Sequence, residues 1–78
     1  MQVKINSTMK QKEIQAMFDG QTHKDVTYHF SKKVGMSLIF DVENPTGKSA
    51  DEVKAITKSV TKKDAMLAVM MLVIEVTP

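Results

Sequence analysis

The chain has 78 residues, enough for one domain spanning residues 1–78 and too few for a second domain or a deep catalytic cleft. Its net charge is +2, from eleven lysines against nine acidic residues, with no arginine and no cysteine. The lack of cysteine excludes disulfides and thiolate metal sites. The lack of arginine removes the planar fork that grips phosphates and base edges with two hydrogen bonds.

Gln2–Asn6 alternates, with Val3 and Ile5 on one side, and reads as a short strand. Thr8 with Gln11 fits a capping box, and Ile14, Met17 and Phe18 follow at helical spacing. Gly20 is placed to end that helix in a left-handed turn. The spacing therefore predicts a helix over 9–19, with 21–24 as a connector.

Residues 25–31 alternate cleanly, Val26, Tyr28 and Phe30 opposing Thr27, His29 and Ser31. Residues 36–43 do the same, with Met36, Leu38, Phe40 and Val42 opposing Ser37, Ile39, Asp41 and Glu43. The loop over 31–35 ends in glycine and joins them as an antiparallel hairpin with one dry face. Asn44-Pro45-Thr46-Gly47 then breaks the chain. Ser49 and Glu52 form a second capping box, and Val53, Ile56 and Val60 give the following helix an inner stripe. Asp51 and Glu52 at its start and Lys62 and Lys63 at its end suit the helix dipole.

Residues 65–74 read AMLAVMMLVI, ten apolar residues without a break. A membrane helix needs about 20, and no stretch reads as a secretory leader, so the expected setting is cytoplasmic, with no membrane contact. As a strand, the tail turns Leu67, Val69, Met71 and Val73 to one side and Met70, Leu72, Ile74 and Val76 to the other. As a helix, Val53, Ile56, Val60, Leu67, Met70 and Ile74 share a seam that only Lys63 breaks. The β-branched residues over 72–77 favour the strand. Over 64–71 the Ala, Met and Leu residues leave a helix open.

The order strand, helix, strand, strand, helix, strand implies an α+β fold. Right-handed crossovers then favour a β-α-β-β-α-β ferredoxin-like sandwich, a four-stranded antiparallel sheet with two helices on one face. Helices on one face would leave Ile39, Leu67, Val69, Met71 and Val73 uncovered on the other. An apolar patch of that size marks contact with another chain. The expectation is a homo-oligomer, most simply a homodimer, held through those five residues.

The candidates for chemistry are thin. Asn44-Pro45-Thr46-Gly47-Lys48-Ser49 ends like a phosphate-binding loop, but Val42 stands where the first glycine belongs. His29 and Ser37 lack a third partner for nucleophilic catalysis; a five-residue hairpin loop would oppose His29 to Ser37 and Asp25 to Asp41, and a three-residue loop would oppose His29 to Gly35. No cofactor or metal is implied, and no enzyme. Lys32, Lys33, Lys54, Lys58 and Lys62 suggest a second reading, a nucleic-acid contact. Against it, Tyr28, Phe30 and Phe40 fall on the dry face, where no base can stack on them. The favoured reading is a non-catalytic interaction or assembly domain.

Overall fold

The computed structural model describes residues 1–70 and 72–78. Its elements are β1 (Gln2–Asn6), α1 (Gln11–Phe18), β2 (Gln21–His23), β3 (Val26–Val34), β4 (Ser37–Glu43), α2 (Ala50–Thr61), α3 (Ala65–Val69) and β5 (Val73–Thr77). The α+β class is as the sequence implies. The sheet differs from expectation in having five strands, in the order β2-β3-β4-β1-β5, with every pairing antiparallel. Three helices, not two, are present among the described residues.

The extra strand is β2, where the sequence suggested a connector. It exists because Lys24 and Asp25 both adopt left-handed φ, +50° and +68°, and so close a two-residue turn onto β3. That backbone pattern matches the right-handed twist of paired strands but strains residues with a Cβ. The β3–β4 turn is also two residues long. Val34 pairs with Ser37, and Gly35 takes φ +60° at the first central position. The strand can run that far because the register slips between Phe30 and Lys32, a bulge at Ser31 that resets the alternation.

β1 is an inner strand of the sheet. It pairs with β4 on one side and β5 on the other, and Val3 and Ile5 are wholly buried. Val26, Tyr28, Leu38, Phe40 and Ile74 line the same side of the sheet and meet Ile14 and Phe18 of α1 and Val53, Ile56 and Val60 of α2. Phe18 anchors the aromatic part, its ring 4.8 Å from Tyr28 and 5.6 Å from Phe40. Thr57 is also buried. Its hydroxyl donates to the Val53 carbonyl at 2.8 Å and so accepts from the Tyr28 hydroxyl at 2.8 Å. Burial pushes the Tyr28 phenol above its usual pKa, and the Thr57 contact offsets part of that rise.

The helix starts differ in how they are made. α2 has the expected reciprocal cap, Ser49 and Glu52 each bonding the other's backbone N–H at 3.2 Å. The Thr8–Gln11 box does not form. Lys10 caps α1 in a left-handed conformation, and Gln11 instead donates to the Ser7 carbonyl at 2.8 Å. No helix among the described residues is long and apolar enough to cross a membrane.

Candidate interaction surface

The apolar tail does not form one continuous strand. Asp64 ends the turn after α2 and starts α3, its carboxylate accepting from the backbone N–H groups of Met66 at 2.9 Å and Leu67 at 3.1 Å. Lys10, at the start of α1, reaches the same carboxylate at 3.0 Å. The Leu67 N–H and then the Lys10 ammonium hold the Asp64 carboxyl below the usual carboxylate range. With this cap and good helix formers behind it, the segment coils for five residues and then straightens at Met70.

The coil separates the residues that a strand would have aligned. Leu67 is 1% exposed and belongs to the core, whereas Val69 is 79% exposed. Val73 opens β5 at 54% exposure, on the open side of the sheet opposite Asn6. Ile39 is half-buried on that open side, between Lys4 and Lys32. Met71 lies outside the described residues. Of the five residues expected to share one face, Ile39 and Val73 do so. Leu67 and Val69 are carried away by the helix.

What the structure gathers instead is an apolar end of the molecule. Along the open side, Val34, Ser37, Asn6 and Val73 stand in one row across four strands. Just beyond the row, Met9, Met36, Met70 and Leu72 line a groove of about 410 Å³ with Asn6 and Ser7. Among the described residues, Met9, Val34, Met36, Met66, Val69 and Val73 are the large apolar side chains left exposed. Ser7 holds this end together. It is buried, its N–H donates to the Met36 carbonyl at 3.0 Å, and its hydroxyl donates to the Met9 carbonyl at 2.7 Å. Nothing in the run Asn6-Ser7-Thr8 marks which hydroxyl takes this role.

The remaining candidates are dispersed or already bonded. His29 stands opposite Asp41, not Ser37, because the turn falls at Gly35-Met36, further along the chain than a loop over 31–35. Its Nε2 meets Glu43 at 2.6 Å, both side chains more than half in water. Asp25 is in the β2–β3 turn and faces no carboxylate of β4. No group of three or more His, Asp or Glu side chains converges among the described residues. In the loop before α2, Asn44 accepts from the Lys48 N–H at 3.0 Å and donates to the Lys48 carbonyl at 2.7 Å, and the Gly47 N–H bonds the Asn44 carbonyl. The N–H groups a phosphate would need are thus engaged inside the loop.

All five lysines singled out in the sequence are exposed. The Ser31 bulge sends Lys32 to the open side, opposite Ile39, and Lys33 to the helix side, opposite Leu38. Lys54, Lys58 and Lys62 lie along α2. The open side mixes Lys4 and Lys32 with Asp41, Glu43 and Glu75, and its described positions hold no Phe, Tyr or Trp.

Comparison of the chain with protein-family models, with curated proteins and with solved structures finds no match.

Proposed function

We propose that this chain is a non-catalytic interaction domain that self-associates through its apolar C-terminal segment, α3 and β5. The observation that carries the reading is the exposure of this segment: Val69 is 79% exposed and Val73 54%, while Met70 and Leu72 line a groove with Met9 and Met36. Single exposed apolar residues are ordinary, but Met9 and Met36 are exposed at the groove, Val73 follows Leu72 of its lining, and Met66 and Val69 are exposed on α3, and apolar surface of that extent is the kind another chain covers. Methionine side chains suit such a surface because they repack against varied partners. The exposed His29–Glu43 pair, without a nucleophile or a sheltered cleft, supports a role other than catalysis. A cysteine-free chain suits a reducing compartment, the cytoplasm.

We also infer that the scaffold is the ferredoxin-like sandwich, with strand order β5-β1-β4-β3 as its four-stranded part. On that reading β2 is an added edge strand and α3 an insertion before the last strand.

The test is Val69→Lys. Because the side chain is in water, the substitution leaves the fold intact, as circular dichroism would register. A charge placed in the contact dissociates the oligomer. Unchanged association of a folded Val69→Lys protein would remove this surface from consideration.

A further inference from the structure

We propose that two copies join along β5, antiparallel and centred on Ile74, so that two five-stranded sheets become one of ten. This rests on the self-association reading above and specifies its geometry.

The two edges of the sheet are unlike. β2 is three residues long and closed by a tight turn. β5 has five residues, keeps register with β1 without a bulge, and carries one charge, Glu75, and no lysine. Protected edges are short, bulged, or armed with lysine or proline, and the ladder positions of β5 have none of these. No hydrogen bond from its outer side reaches a described residue. Its free N–H and C=O groups match those of a second copy, as in strand addition.

The side chains select the register. Paired residues in an antiparallel ladder share a face, so Ile74 and Val76, on the helix side, meet their own kind, as do Val73, Glu75 and Thr77 on the open side. Centring on Glu75 would set two carboxylates directly opposite, which is destabilising. Centring on Val76 would oppose Ile74 to Pro78, which has no N–H to give. Centring on Ile74 avoids both. It pairs Ile74 with itself, Leu72 with the second copy's Val76, and Val73 with the second copy's Glu75. A cleft of about 200 Å³, lined by Leu67, Met70, Leu72 and Ile74, opens beside this strand and can receive the second copy's aliphatic groups. The stems of Lys58 and Lys62 at the same cleft add apolar cover.

Since the chain has no cysteine, single-cysteine variants report the register directly. Val73→Cys and Glu75→Cys are mixed under mild oxidation, and the molar mass of the wild-type chain is measured in the same buffer. In the Ile74-centred register, position 73 of one copy faces position 75 of the other, within disulfide reach. Like positions sit on the diagonal at about 7–8 Å, beyond it. The mixture should give the mixed cross-link well above the share from random collision, and each variant alone should lose it. The outward amides of β5 in the wild-type dimer should be protected from hydrogen exchange. A wild-type dimer with exposed β5 amides, or with a cross-link between two 75 positions, overturns this geometry and leaves self-association standing. A wild-type monomer overturns both.

Discussion

Leu67 and Val69 are two residues apart, and replacing each with alanine separates the coiled tail from an extended one. In a strand they would share a face, and the two substitutions would cost alike. In α3 one is 1% exposed and the other 79%. Leu67→Ala removes buried methyl groups and leaves a cavity against the core, at a cost of about 2–5 kcal/mol. Val69→Ala removes groups already in water, and its effect should lie within about ±0.5 kcal/mol. A domain of this length has a total stability of about 4–12 kcal/mol, so the first change takes a large share of it. At about 4–8 °C per kcal/mol, the midpoint of thermal unfolding should fall by at least about 8 °C for Leu67→Ala and by no more than about 4 °C for Val69→Ala. Urea unfolding at low micromolar concentration, where association adds little, gives both numbers. Equal costs, or a greater cost at Val69, would refute the assignment of α3 and the division of the tail that depends on it.

Tyr28→Phe should cost about 0.5–1.5 kcal/mol at pH 7, through the lost bond to Thr57. Because the folded phenol titrates above its unfolded value, its stabilisation is full below about pH 10 and declines at higher pH, so the gap to Phe should narrow in alkaline urea titrations. Asp64 shifts the other way. Its contribution is present above the ordinary carboxylate value near pH 4 and is lost as pH falls through the lowered folded value, and Asp64→Asn should flatten that part of the acid limb. Replacing Lys24-Asp25 with Asn-Gly relieves two left-handed residues and should raise stability by about 1 kcal/mol, read by thermal unfolding; a decrease would argue against the two-residue turn.

The sequence is legible where local chemistry and burial agree. Ser49, Glu52, Val53, Ile56 and Val60 announce α2, and the structure uses each as its type suggests. The alternation through Val26 and Tyr28 likewise reports β3. Thr57 could have been found, since it sits four residues after Val53 on the buried stripe, and only its hydroxyl disguises it. Other features depend on partners remote in sequence. The bulge at Ser31 has no glycine to announce it, and Lys24-Asp25 is an uncommon pair for its turn. Asp64 resembles the charged end of α2, although its carboxylate caps α3 through the Met66 and Leu67 N–H groups, a bond set that Lys10, 54 residues earlier, joins. Hence Leu67 and Val69 were expected on one surface, although one lies inside the protein and the other outside.

Molar mass in solution, followed from low to high micromolar concentration by light scattering, bears most directly on the claim that the apolar C-terminal segment is a contact surface. The mass of the wild-type chain should rise with concentration from 8.7 kDa toward at least twice that value, and folded Val69→Lys should stay at the lower one. A wild-type chain that remains at 8.7 kDa throughout would contradict the claim.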